Sequence, residues 1–276
     1  MAIEFFAQQA DGIAPSAIEP FRFPGGEWHL HLPTEPETPA YALVTGCTAD
    51  DLVLLGLWAD SARQAGHRAI ARIPYLPAAR ADRGTPFGAK VYADLINAAG
   101  LDEVVVFDPH SPVAPGLVQH IRVVYSAEVL ADVLRAAGKA DTYSAVLAPD
   151  KGAVDRASKA ADALGLPLFT ATKTRDFATG KLTNFEVPAL PAEGKILVVD
   201  DICDGGGTFR GLATAAGIGS DRLGLWVSHG IFSGAANQLT EYFAEIWTTD
   251  SHPGARRADI GAKVIELAPY LESERN

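Results

Sequence analysis

Cationic side chains are scarce: 23 Lys plus Arg stand against 34 Asp plus Glu in 276 residues, a net charge of −11. That balance argues against nonspecific attraction to a nucleic-acid backbone or an anionic membrane surface, yet it leaves room for local positive sites that hold a phosphate. Cysteine is rarer still. Cys47 and Cys203 lie far apart without metal-ligand spacing, which gives no support to a disulfide scaffold or zinc site and points to a reducing, cytoplasmic compartment. Nowhere do about 18 apolar residues follow one another, and the opening MAIEFFAQQADGIAPS lacks a basic segment leading into an uninterrupted apolar one. Neither a membrane span nor secretion is expected. Short-period repeats, low-complexity tracts and charge blocks are also missing. What remains is 48% hydrophobic content, ample for the core of one large or two medium domains.

Short apolar runs recur along the chain: YALVTG, AIARIPYL, DEVVVFDP, AVLAPD, KILVVDD, RLGLWVSHGIF and EIWTTD read as buried strands. Helical periodicity follows most of them. Residues 50–65 place Leu52, Leu55, Trp58 and Ala62 about one turn apart, and residues 90–99 do the same with Val91, Leu95 and Ala98. This alternation predicts an α/β protein whose parallel sheets are covered by helices on both faces. Two such units are expected, 1–138 and 139–276, divided near the polar stretch RAAGKADTYS.

Residues 196–209, ILVVDDICDGGGTF, combine a buried strand with three aspartates, three glycines and a threonine. Ligands of open parallel sheets bind beyond the carboxyl ends of strands, where loops meet helix N-termini. Glycines there let backbone N–H groups approach an anion, and Thr208 can add its hydroxyl while opening the next helix. Asp200 and Asp201 would repel that phosphate but suit the hydroxyl donors of a sugar or a bridging divalent cation. Glycines 205–207 form neither a GxGxxG turn nor a loop ending in GK[ST], so the stretch is not a dinucleotide or ATPase-type loop. The plain alternative is a glycine-rich turn with solvated acids.

VVDDICDGGGTF resembles the phosphoribosyl pyrophosphate binding loop shared by type I phosphoribosyltransferases and ribose-phosphate pyrophosphokinases. IPYLPAARADR, GAKVYADLINAAGLDEVVVFDPH, APDKGAVDRA and SHGIFSGAA follow the order and spacing of the pyrophosphokinases, from about Phe21 to the end, and APDKGA is similar to the shorter, archaeal-type members. The resemblance implies two similar phosphoribosyltransferase-like domains, each a mainly parallel sheet flanked by helices. The first would face ATP and the second ribose 5-phosphate. It implies magnesium-dependent transfer of pyrophosphate from ATP to the C1 hydroxyl of ribose 5-phosphate, giving phosphoribosyl pyrophosphate and AMP. It also implies a homodimer or homohexamer without nucleic-acid or membrane partners. A type I phosphoribosyltransferase, or a non-catalytic homologue associated with an active synthetase, is the alternative.

Roles follow from the same resemblance. Asp204, Gly205, Gly206, Gly207 and Thr208 would hold the sugar phosphate, while Asp200 and Asp201 take the 2- and 3-hydroxyls. His110 and Asp150 would bind magnesium, and the backbone at Lys151 and Gly152 would cradle the pyrophosphate. Lys173 and Arg175 match the cations that stabilise the transferring group; His110 is also counted among the catalytic residues, and Lys181 is the candidate for a further cation. Arg80, Arg83, Phe23 and Glu27 would meet the nucleotide. Gly25 and Ala81 depart from the family pattern at that site, which leaves the choice of base open. His120, His229 and His252 are expected to pack or face solvent.

Overall fold

The computed structural model describes residues 2–46, 48–175 and 182–272. The chain divides into two compact units, one holding Met1–Val124 with Leu271–Asn276 and the other Tyr125–Tyr270.

The first unit contains β1 (Ile3–Gln9), β2 (Gly12–Pro15), β3 (Glu19–Arg22), β4 (Trp28–His31), β5 (Thr38–Val44), α1 (Ala49–Gln64), β6 (Ile70–Arg72), α2 (Gly88–Ala98), β7 (Glu103–Phe107) and β8 (Ile121–Val124). Its main sheet has the order β2-β1-β5-β6-β7-β8. From β5 to β8 the pairs are parallel, whereas β1 runs antiparallel to both of its neighbours. The apolar run EVVVF sits in the interior of this sheet and is almost wholly buried, as expected of a strand covered on both faces. Leu54, Leu55, Trp58 and Ala62 of α1 join Ile73, Ile96, Val104 and Val106 in one core. β3 and β4 form a separate hairpin.

The second unit contains α3 (Ser126–Ala136), β9 (Tyr143–Ala148), α4 (Val154–Leu164), β10 (Leu168–Thr170), β11 (Thr172–Arg175), β12 (Leu182–Glu186), β13 (Lys195–Cys203), α5 (Gly207–Ala216), β14 (Leu223–Gly230), β15 (Glu245–Thr249), β16 (Lys263–Ile265) and the start of α6 (Ala268–Glu272). Its main sheet, β10-β9-β13-β14-β15-β16, is parallel throughout. β13 lies inside it, so ILVVDDIC carries its aspartates to the carboxyl end of an interior strand. β11 and β12 form a separate antiparallel hairpin.

The division falls at Val124 and Tyr125, ahead of the 138/139 boundary expected from composition. Helix α3 belongs with the second unit because it packs against α4. The chain end belongs with the first: Arg122 donates to the Leu271 carbonyl at 2.7 Å, and the Arg72 guanidinium lies 3.0 Å from Glu272 and 3.4 Å from the centre of the Tyr41 ring. No helix among the described residues is long and apolar enough to cross a membrane.

Candidate active site

Burial is the first fact about the end of β13. The Asp200 side chain is 16% exposed and that of Asp201 6%. Asp200 accepts the N–H of Asp201 at 2.9 Å, and Asp201 accepts that of Ile202 at 2.8 Å. Burial, followed by the charge of Asp201, holds the Asp200 carboxyl well above the usual carboxylate range. The Arg156 guanidinium from the first turn of α4 opposes that shift. It lies 4.0 Å from Asp200 and 3.8 Å from Asp201.

Beyond the pair, the backbone turns at residues 204–206 into α5. Gly206 adopts φ +73°, and a Cβ there would meet Leu239 at 3.0 Å, so the fold itself requires glycine at this position. Gly207 is different: a Cβ would meet nothing within 4 Å, and at Gly205 only Ser233 Oγ at 3.9 Å. The open space before these two backbones leaves room for a group to approach closely. No side chain caps α5, which opens at Gly207 directly after the turn.

The segment SHGIFSGAA supports this loop from behind. The N–H groups of Ile231 and Phe232 both donate to the Cys203 carbonyl, at 2.9 and 3.0 Å, and Ser233 Oγ donates to Asp204 at 2.5 Å. Arg257 in turn holds the Phe232 and Gly234 carbonyls at 2.7 and 2.8 Å. Burial, aided by the charges of Asp204 and Asp200, pushes the Cys203 thiol up to about 12, so it packs rather than reacts. His252 accepts the Gly254 N–H on Nδ1 at 3.0 Å, and burial lowers its pKa against the influence of Asp204.

The end of β9 supplies the second strand terminus. Asp150 accepts the N–H of Gly152 at 2.7 Å and that of Ala153 at 3.3 Å, folding the Lys151–Ala153 turn beneath its own carboxylate. Its other oxygen pairs with Lys173 Nζ from β11. Lys173 is thus already at a strand end of the same sheet. Phe185, opposite Lys173 in β12, covers Gly211 of α5, where a Cβ would come within 2.6 Å of its ring. The base of the hairpin therefore rests on the helix that begins at the glycine loop. Arg175 lies in β11 in register with Leu182, and Lys181 falls outside the described residues.

Candidates in the first unit are exposed by comparison. β7 ends at buried Asp108, whose N–H donates to the Val124 carbonyl at 2.8 Å, and His110 projects from the following turn. Arg80 and Arg83 are exposed as well. Ser111 Oγ donates to Asp82 at 2.7 Å, which ties the arginine segment to the His110 segment. Phe23 and Glu27 meet at the turn of the β3–β4 hairpin, where the Phe23 N–H donates to the Glu27 carbonyl at 2.9 Å. Phe23 packs edge-on to Phe21, 4.9 Å between centroids, while Phe21 stacks on His31 at 4.0 Å. The Glu27 carboxylate covers Gly25, where a Cβ would lie 2.5 Å from its Oε2. Among the described residues no three His, Cys, Asp or Glu converge as a metal cluster. Magnesium fits such a donor set only through one or two carboxylates completed by water and substrate phosphates, which is its usual mode.

The sequence singled out the aspartates, the glycine loop and Lys173, which the structure places at strand ends of the second unit, and gave no role to Arg156, Ser233, Arg257 or the Asp82–Ser111 link. Arg156 and Ser233 lie within quoted motifs, so the signal for those two was present without a role. His120 and His229 serve their surroundings: His120 Nδ1 lies 2.9 Å from the Leu101 carbonyl, and buried His229 lies 2.8 Å from Ser251 Oγ.

A parallel α/β unit whose interior strand ends in paired acids before a glycine turn defines the phosphoribosyltransferase class of fold, and the phosphoribosyl transferase domain family matches residues 121–218. Ribose-phosphate pyrophosphokinase of Cereibacter sphaeroides is 34% identical over 234 residues, covering 80% of this chain and 68% of the relative. That of Pyrococcus abyssi is 30% identical over 257 residues, covering 86% and 84%. The crystal structure of phosphoribosylpyrophosphate synthetase from Mycobacterium smegmatis superposes with a TM-score of 0.78 at 26% identity, covering 94% of this chain and 88% of that one. The chain belongs to the ribose-phosphate pyrophosphokinase family and is an enzyme of that kind.

Proposed function

We propose that this enzyme transfers the β,γ-pyrophosphoryl group of ATP to the anomeric hydroxyl of ribose 5-phosphate, releasing AMP and phosphoribosyl pyrophosphate. The observation that carries the proposal is the paired acids of β13 directly before a turn whose Gly205 and Gly207 face open space. The 5-phosphate takes the N–H groups and Thr208 hydroxyl at the start of α5, and the 2- and 3-hydroxyls donate to Asp200 and Asp201. That orientation directs the C1 oxygen away from the loop.

Such a displacement needs positioning and charge stabilisation rather than a covalent nucleophile. Lys173 exchanges its pairing with Asp150 for the transferring group, Arg175 is the second candidate cation, and the backbone at Lys151 and Gly152 receives the pyrophosphate. Asp150 in the second unit would hold magnesium, which would neutralise phosphate charge, and His110 is the candidate metal ligand of the first unit. Arg80 and Arg83 hold the nucleotide phosphates, and Phe23 and Glu27 contact the base. Because those groups are exposed within their own unit, the nucleotide site is completed by a neighbouring copy in a homodimer or homohexamer.

The test incubates ATP, GTP or CTP with ribose 5-phosphate and magnesium and identifies products by mass. AMP together with phosphoribosyl pyrophosphate, formed only when sugar and metal are both present, supports the proposal. Consumption of phosphoribosyl pyrophosphate with a free base, or no turnover, overturns it.

A further inference from the structure

We infer that Arg156 is a positioning residue that places its charge beside both Asp200 and Asp201 and keeps the pair oriented to receive the ribose diol; the inference rests on the sugar-binding reading above. It begins with an anomaly. Arginine occupies the first turn of α4, where the positive end of a helix disfavours a cation. Its neighbour Asp155 behaves as that position predicts: it is 84% exposed and pairs with Lys159 at 2.8 Å. Arg156 instead turns inward and is only 11% exposed. Ala157, Ala160 and Ala161 are buried on the same helix, and their small side chains allow α4 to approach the sheet closely.

What Arg156 meets there explains the position. Two adjacent carboxylates buried at one strand end repel each other and lose hydration, a combination that favours protonation. A proton on either acid removes an acceptor that a sugar hydroxyl needs. One guanidinium within 4.0 Å of both carboxylates lowers that tendency for the two together. These separations are too long for hydrogen bonds. At these separations Arg156 acts on the acids through its charge. The contacts that bear on the sugar are those to the two acids, so its effect on the sugar passes through them.

Arg156→Met, which retains length for packing, and Arg156→Lys, which returns charge at a single point, test this. Each is titrated calorimetrically with ribose 5-phosphate and 2-deoxyribose 5-phosphate and assayed at steady state. Arg156→Met is expected to weaken ribose 5-phosphate about tenfold, the deoxy sugar about threefold or less, and to leave the ATP KM within about threefold. Arg156→Lys should recover most of the loss. The gap between the two sugars isolates the 2-hydroxyl of the diol as a double-mutant cycle does. Unchanged ribose 5-phosphate affinity in Arg156→Met, or equal losses for both sugars and ATP with a lowered Tm, would overturn the inference. Arg156→Gln replaces the methionine variant, with the same expectations, should that variant not fold. Wild-type enzyme that binds ribose 5-phosphate but forms no AMP removes the proposed reaction while leaving the titrations to judge Arg156. Wild-type enzyme that fails to bind the sugar removes both.

Discussion

Each unit buries an aspartate near the edge of a helix or strand, and the two are treated in opposite ways. Asp51 in the first unit has no exposure, and burial alone would raise its pKa. The Thr48 hydroxyl at 2.6 Å and the N–H groups of Ala2 at 3.0 Å and Thr48 at 3.1 Å reverse that, holding it below its ordinary value. Asp200 in the second unit sits beside a like charge and is raised. The first arrangement closes a capping box at the start of α1 and has its donors in the protein. In the second, two like charges are buried side by side, a costly state that the hydroxyl donors of a ligand would relieve. A fold tolerates that cost chiefly at functional sites.

The contrast is broken most severely through the cation beside the second site. Lys173→Ala is expected to lower kcat by about a thousandfold, the scale of losing one donor to a transition state, while calorimetric affinity for ribose 5-phosphate stays close to wild type. Turnover at the wild-type level would detach Lys173 from the chemistry.

Exchanging each buried acid for its amide then compares the two regions directly. Asp51→Asn loses the second acceptor that serves Ala2 and Thr48, and urea unfolding should show a loss of about 2 kcal/mol. Asp200→Asn should do the reverse to stability. A carboxyl with a raised pKa in the folded state supports folding at low pH, and that support disappears as pH rises through the folded value. Replacing it should therefore raise Tm at pH 8, while KM for ribose 5-phosphate rises by about tenfold or more. A lowered Tm at pH 8 would place Asp200 in the same structural class as Asp51.

This opposition also marks how far the sequence could be read. The interior strands were legible because parallel strands covered on both faces leave continuous apolar runs: β6, β7, β14 and β15 lie within the runs expected of them, and β5, β9 and β13 overlap theirs and extend two or three residues beyond. DDICDGGGT was legible because so much charge and so little side chain in one turn has few structural uses. Arg156 was not, since a charged residue in a polar helix reads as surface until the fold turns it inward. Asp51 was hidden likewise, because an acid in the first turn of a helix is ordinary and only the N–H of Ala2 from β1's approach shows it enclosed. The boundary at Val124 depended on α3 choosing α4, a contact that no local pattern encodes.

Within the glycine loop the same distinction can be drawn residue by residue. Gly206→Ala forces a side chain to φ +73° against Leu239 and should cost about 1–2 kcal/mol in urea unfolding. Gly205→Ala and Gly207→Ala meet no close protein atom, so their stability should change by about 0.5 kcal/mol or less. Their ribose 5-phosphate KM should nevertheless rise severalfold, because the added methyl occupies the space assigned to the phosphate. Equal sugar affinity in both variants would show that the open space is not where the phosphate lies.

The smallest effect belongs to the self-contained site. Thr48→Ala removes the α1 cap and one donor to Asp51, with an expected loss of about 1 kcal/mol and no change in kinetics. Its pH signature follows from the direction of the Asp51 shift. Because the folded pKa lies below the ordinary value, Asp51 supports folding above its unfolded pKa, and that support is lost as pH falls through the folded value. Without the Thr48 hydroxyl the folded pKa moves up toward the unfolded one, so the midpoint of acid unfolding should shift to higher pH. An unshifted midpoint would mean that the backbone N–H groups alone hold Asp51 ionised, making the threonine a cap and nothing more.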